Sequence, residues 1–226
     1  MPKQRLIYGR RQGRRLRPGR ERLLAEKLPA LQIRLPENGR LDPATVFEPP
    51  RPLWLEIGFG GGEHLAWQAG THPEIGLIGC EPFIEGVAKL VSLVEAECLD
   101  NVRIVVDDAR LLLDALPDHS LERIFVLFPD PWPKARHHKR RLINRVTAGE
   151  FARLLVPGGE LRLATDDMSY ARAILLALLP EPRLEWLAER PHDWRERPPD
   201  WPPTRYEEKA IGAGRAPVYL RFRRLS

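Results

Sequence analysis

Five short apolar runs, each followed by a stretch of helical period, leave residues 53–179 little choice of architecture. The runs are LWLEIG (53–58), IGLIGCE (75–81), VRIVVDD (102–108), RIFVLFPD (123–130) and ELRLAT (160–165). Helix-period stretches lie at about 62–70, 83–98, 109–116, 142–156 and 169–179. Near-continuous apolar strands alternating with helices mark a parallel sheet with helices on both faces, where each strand is buried twice over. The expected fold is therefore a doubly wound α/β sheet. EWLAE (185–189) is a candidate sixth strand and VYLRFRR (218–224) an alternating seventh. Pro157-Gly158-Gly159 is expected to stop the fourth helix. Residues 180–203 hold seven prolines and break the pattern.

Ahead of the sheet, ERLLAEKLPALQI (21–33) reads as a short amphipathic helix ended by Pro29, and EPPRP (48–52) as the lead into the main domain. With 226 residues, 43% of them hydrophobic, the chain suits one domain (23–226) and a basic N-terminal arm (1–22). Arg and Gly dominate up to about residue 20, where order in isolation is not expected. The arm carries a net +8 while the whole chain is +5, which leaves the remainder at −3. A cationic arm on a mildly acidic body suits a polyanion, because neutralised phosphates release condensed counterions. No run of about 18 apolar residues and no secretory leader is present, so no membrane partner and a cytoplasmic location are expected. Cys80 and Cys98 show no metal-type spacing.

Strand one runs into Glu56-Ile57-Gly58-Phe59-Gly60-Gly61-Gly62. Glycines at that place permit positive φ and let backbone approach a ligand at the carboxyl end of a strand. Glu81 closes strand two, 19 residues after Gly62, where a carboxylate can accept from both hydroxyls of a ribose. Asp107 and Asp108 close strand three, where either can accept from an adenine amine. Three acids around a glycine turn disfavour a pyrophosphate and favour a cationic nucleoside such as S-adenosylmethionine.

Strand four ends in Phe128-Pro129-Asp130-Pro131-Trp132-Pro133-Lys134, and Ala135-Arg136-His137-His138-Lys139-Arg140-Arg141 follows. Two prolines restrict the backbone around one carboxylate. Trp132 offers a face on which a base can stack. Five Lys or Arg within eight residues supply a track for phosphates. Neighbouring histidines point apart, so His137 and His138 are not expected to hold a metal.

FPDPWPKARHHKRRL resembles the signature of the tRNA (guanine-N7)-methyltransferases, which are class I S-adenosylmethionine-dependent enzymes. LEIGFGGGEHL resembles their cofactor loop, GCEPFIEGV their second-strand segment and ATDD (164–167) the end of their fifth strand. Thr204-Arg205-Tyr206-Glu207 resembles their late T-[KR]-[FY]-E motif, and GRRQGR their basic start. The likeness covers nearly the whole chain; RPHDWRERPPDWPP (190–203) departs from it in its wealth of Pro and Trp. It implies a seven-stranded, mostly parallel sheet whose last strand is antiparallel. It also implies that Glu56, Gly58, Gly60, Glu81 and Asp108 bind the methyl donor, with Glu56 on the methionine part. Asp108 is preferred to Asp107 on this alignment alone. Asp130 is implied to be catalytic and a donor contact too. Lys134, Asp166, Thr204, Arg205, Tyr206 and Glu207 are implied to contact tRNA, with guanine 46 of the variable loop as target.

Two other enzyme classes compete. A methyltransferase acting on an exocyclic amine carries Asp- or Asn-Pro-Pro-aromatic after strand four, which Asp130-Pro131-Trp132 meets imperfectly because Pro133 follows. A dinucleotide oxidoreductase shares the glycine loop and Glu81, but the acid ahead of the glycines opposes a pyrophosphate. A non-catalytic RNA-binding protein on the same fold is the third alternative. Either a monomer or a homodimer fits the sequence.

Overall fold

The computed structural model describes residues 13, 15–36 and 39–226; most of the basic arm, residues 1–12 and 14, lies outside the described residues. The chain divides into two compact units, the first ending at Ser120 and the second running Leu121–Ser226.

The first unit contains α1 (Pro18–Leu31), β1 (Leu53–Ile57), α2 (Glu63–Thr71), β2 (Gly76–Cys80), α3 (Ile84–Ala96), β3 (Val102–Val105) and α4 (Ala109–Ala115). Its strands lie in the order β3-β2-β1, all parallel. Every residue of β1 and β2 is buried, as two covered faces require. The register sets Ile57 beside Cys80 and Cys80 beside Val105. The three strands thus end level, and the glycine loop, Glu81 and Asp107–Asp108 leave the sheet at the same edge. Leu55, Leu65, Ile78, Leu90 and Ile104 form the centre of this core.

Helix α1 corrects one expectation. It does not end at Pro29 but runs to Leu31, where the Gln32 N–H donates to the Leu28 carbonyl at 2.8 Å. Contacts with α3 and β3 hold this last turn: Lys27 pairs with Glu95 at 2.9 Å, and the Ile33 N–H donates to the Ile104 carbonyl at 2.9 Å. Tertiary support here outweighs the one rung a proline removes. The helix starts at Pro18, so residues 18–22 of the expected arm belong to it.

The second unit contains β4 (Leu121–Leu127), a 3-10 turn over Ala135–Arg140, α5 (Arg145–Leu154), β5 (Leu155–Thr165), α6 (Met168–Leu178), β6 (Leu184–Trp186), α7 (His192–Arg195), α8 (Arg205–Gly212) and β7 (Val218–Arg224). The strand order is β4-β5-β7-β6; β4 and β5 are parallel, and β7 is antiparallel to both neighbours. Phe125, Phe151, Tyr170 and Phe222 fill its core. The expected seven-stranded, mostly parallel α/β fold with an antiparallel final strand is borne out.

A second correction concerns Pro157-Gly158-Gly159. Helix α5 already ends at Leu154, and the three residues lie inside β5. Leu121 pairs with Leu155 and Arg123 with Glu160, so an excess of residues on β5 is taken up as a bulge around Gly158, at φ 82°. Proline and glycine are tolerated within strands at such bulges. Helix α8 is an element that the strand-and-helix periodicity missed. Among the described residues no helix is long and apolar enough to cross a membrane.

Candidate functional site

In the first unit the glycine loop alternates left-handed and ordinary backbone: φ is 74° at Gly58, 57° at Gly60 and 81° at Gly62. An added Cβ at Gly62 would lie 2.8 Å from Leu90 Cβ, whereas one at Gly58 would meet nothing within 4 Å. Gly62 is therefore required by packing against α3, and Gly58 faces open space beside the strand end. Gly60 is clamped from two sides. Its N–H donates to Glu81 Oε2 at 3.0 Å, and a Cβ on Gly86 of α3 would lie 2.1 Å from its carbonyl oxygen.

Glu81 is buried, and its other oxygen, Oε1, accepts from the Phe83 N–H at 3.0 Å. Both carboxylate oxygens are thus held by backbone N–H groups, which braces Glu81 at the strand end. Asp108, also buried, caps α4 by accepting from the Arg110 N–H at 3.0 Å and pairs with Arg110 Nη1 at 3.2 Å. Asp107 accepts from the Asp108 N–H at 2.8 Å.

Glu56 lies within β1, 3% exposed, and its Oε2 meets His64 Nδ1 of α2 at 2.7 Å. The acids concentrate negative charge at this edge. Burial pushes the Cys80 thiol well above its usual range, and Glu81, Asp108 and Asp107 add to that shift. A site of this kind favours a cationic ligand and opposes a pyrophosphate. Open space at Gly58, a buried acid in the preceding strand and a braced acid after β2 fit the nucleoside, ammonium and sulfonium of S-adenosylmethionine.

In the second unit Asp130 is exposed and forms no hydrogen bond or ion pair among the described residues. Non-glycine residues on either side adopt left-handed backbone, Phe128 at φ 50° and Trp132 at φ 46°. The loop is held by the Phe128 N–H donating to the Ala164 carbonyl at 2.8 Å and by Arg141, whose Nε donates to the Pro131 carbonyl at 2.7 Å. Arg141 is buried, bonds Ser169 Oγ at 3.2 Å and lies 4.8 Å over the Tyr170 ring. The basic run therefore divides. Arg141 supports the loop from inside, contrary to its expected place on a phosphate track, while Lys134, Arg136, His138 and Lys139 are exposed. Trp132 is half-buried with the Arg140 guanidinium 4.9 Å over its ring and His137 edge-on at 5.9 Å, so part of the expected stacking surface is occupied.

Asp166 lies in the turn between β5 and α6 and accepts from Arg215 Nε at 2.6 Å. Thr204 and Glu207 form a capping box at the start of α8: the Glu207 N–H donates to Thr204 Oγ1 at 3.1 Å, and the Thr204 N–H to Glu207 Oε2 at 3.4 Å. Both are buried, whereas Arg205 and Tyr206 between them are exposed. Glu207 Oε1 also accepts from Tyr219 Oη at 2.6 Å and Arg197 Nε at 3.0 Å. Burial pushes the Tyr219 hydroxyl well above its usual range, and the Glu207 carboxylate adds to it. The proline-rich stretch has a packing role: Trp201 is buried edge-on to Phe125 and Tyr219, and Arg197 donates to its carbonyl.

Sequence reasoning missed His64, Arg197 and Tyr219 as partners of site residues. The T-x-x-E spacing is itself a helix-start signature and was available for finding α8. Among the described residues there is no cluster of three or more potential metal ligands.

A family profile described as "Putative methyltransferase" matches residues 50–220. The chain is 56% identical to the tRNA (guanine-N(7)-)-methyltransferase of Rhodospirillum rubrum, over 96% of this chain and 87% of that one. It is 46% identical to the protein of the same name from Paracoccus denitrificans, over 100% and 97%. Among solved structures, an rRNA methylase from Streptococcus thermophilus aligns with TM-score 0.53 at 11% identity, over 78% of this chain and 88% of that one. The [4+2]-cyclase SpnF aligns with TM-score 0.51 at 16% identity, over 77% and 75%. These structures share the fold, and their differing names illustrate that the fold alone does not choose the chemistry. Sequence identity along the whole chain does more: the chain belongs to the tRNA (guanine-N7)-methyltransferase family.

Proposed function

We propose that this protein transfers a methyl group from S-adenosylmethionine to N7 of guanine in tRNA, at position 46 of the variable loop. The observation that carries the reading is its identity, along nearly the whole chain, to relatives bearing that name. Guanine N7 has a free lone pair, so no base need remove a proton before attack, unlike catalysis on an amine or hydroxyl. What the protein must supply is alignment and well-placed charge. When bound, the donor supplies an electrophilic methyl group on a sulfonium.

Glu56 receives the ammonium of the methionine part, Glu81 the ribose hydroxyls and Asp108 the adenine amine, with Gly58 and Gly60 keeping the backbone clear of the ligand. Asp130, exposed and without a donor among the described residues, accepts from the N1–H and N2–H edge of guanine and offsets the positive charge that grows on the ring. Adenine lacks that donor pair and would strand the carboxylate, a discrimination of ~1–3 kcal/mol. Lys134 and Asp166 contact the tRNA, and so does the segment Thr204–Glu207. In that segment Arg205 and Tyr206 present the outward side chains and the buried pair sets the turn.

The arm adds phosphate affinity without reading the base. Removing residues 1–12 should weaken tRNA binding and lower the salt slope by about 0.9 for each phosphate that the arm neutralises; an unchanged slope would refute this role.

Incubating unmodified tRNA with protein and S-adenosylmethionine, then analysing nucleosides, tests the activity. N7-methylguanosine, with borohydride- and aniline-induced cleavage at position 46, is expected. A methyl group on an exocyclic amine would instead select the amine-modifying class.

A further inference from the structure

We propose that His64 is a positioning residue for the methyl donor: it grips one oxygen of Glu56 so that the other is presented to the donor's ammonium group. This rests on the reading of Glu56 as the acceptor for the methionine part.

Glu56 is a buried carboxylate within β1, a strand enclosed along its whole length, where an unsatisfied charge is costly. Its Oε2 meets His64 Nδ1 at 2.7 Å, and both side chains are almost wholly enclosed. No described residue donates to Oε1. One oxygen is thus fixed by the protein and one is left for a ligand.

The imidazole is itself oriented. Gln68, one turn along α2 and fully buried, brings its amide Nε2 to 3.2 Å from His64 Nε2. An amide nitrogen only donates, so His64 Nε2 accepts and the ring proton sits on Nδ1, directed at Glu56. Nδ1 then donates to one oxygen of Glu56 and leaves the other for an ammonium group. The spacing of residues 64 and 68 places both on one face of α2, and α2 starts immediately after the glycine loop. Helix, carboxylate and the end of the glycine loop are in this way tied to one side chain.

A buried histidine with a merely structural role would, on removal, loosen the site for every ligand. A positioning role predicts selective loss. Calorimetry with two ligands separates them: S-adenosylhomocysteine carries the amino-acid part, and 5′-methylthioadenosine has the same nucleoside without it. His64→Ala should weaken S-adenosylhomocysteine about tenfold, the scale of one hydrogen bond to a charged group, and leave 5′-methylthioadenosine within about twofold. His64→Asn, which keeps an N–H near the place of Nδ1, should recover most of the loss. Gln68→Leu should reproduce the same selectivity to a smaller degree and decides the matter if His64→Ala does not fold. Equal weakening of both ligands, or no change in either, overturns the proposal. If the wild-type protein binds neither ligand, the donor reading itself falls and this inference with it.

Discussion

Two loops of the molecule each follow a strand and have a carboxylate in them or against them, yet they are built on opposite plans. The loop after β1 places left-handed backbone at Gly58, Gly60 and Gly62, where it costs nothing sterically, and the acids beside it, Glu56 and Glu81, are buried and held by protein donors. The loop after β4 places left-handed backbone at Phe128 and Trp132, at a cost of roughly 1–2 kcal/mol each, and leaves Asp130 exposed and without a partner among the described residues. A small nucleoside must find its site already assembled, because it offers few contacts with which to order one. A tRNA is large enough to bring many contacts, and in the proposed reading one of them is a base donor for Asp130. The first loop is held by its own protein contacts; the second leaves its carboxylate exposed.

The sharpest way to break this comparison is Asp130→Asn. It should lower the methylation rate by about 100-fold or more while S-adenosylhomocysteine affinity stays within about twofold. A rate within a few-fold of wild type, measured with saturating tRNA, would remove Asp130 from the chemistry.

Gly62→Ala tests the other loop. A Cβ there meets Leu90 at 2.8 Å on backbone at φ 81°, so urea unfolding should register a loss of ~1–3 kcal/mol together with weakened donor binding. An unaltered midpoint would mean that the loop adapts and is not pre-set.

Tyr219→Phe removes the 2.6 Å bond to Glu207 while Arg197 remains. A stability loss of ~1–2 kcal/mol is expected, with a raised KM for tRNA and little change in kcat, because the turn carrying Arg205 and Tyr206 loosens. A fall in kcat at constant KM would place the network closer to the reaction than proposed.

The smallest effect concerns acid stability of the second unit. Burial raises the Asp200 carboxyl, but the Arg162 hydrogen bond at 2.7 Å, with the charges of Arg162 and Arg123, holds it below the usual range. The folded state therefore binds fewer protons than the unfolded chain between the two values. Stability gained from Asp200 is present above the ordinary carboxylate range and lost as pH falls through its folded value. Asp200→Asn should flatten the decline of Tm below about pH 4; identical Tm profiles would deny the pair that role. Asp200 is partly exposed, so the change should be slight.

Much of this was legible in the residues themselves. Strands β1 to β4 and helices α2 to α4 and α6 follow from periodicity, and the acids after β2 and β3 from strand ends. Where reading failed, a distant partner had overruled a local signal. Pro29 did not stop α1 because α3 and β3 support its last turn. Pro157-Gly158-Gly159 did not end a helix because β4 pairs on both sides of it. In the motif Thr204–Glu207, the residue types resembled a substrate contact, yet two of the four point inward to a capping box.

By itself the sequence determined the alternation of β1 to β4 with their helices, the left-handed backbone of the glycine loop and which end of the chain is cationic, since each follows from composition or from spacings of a few residues. Only the tertiary structure decided which side chains are free for a ligand. Arg141 is consumed by Ser169, 28 positions away, and Glu207 by Tyr219, 12 away. Glu56 keeps one oxygen open because His64, on the next helix, takes the other. Hydrogen-bond capacity is finite and is spent on whatever folding brings near, and nearness in space is set by the packing of whole elements.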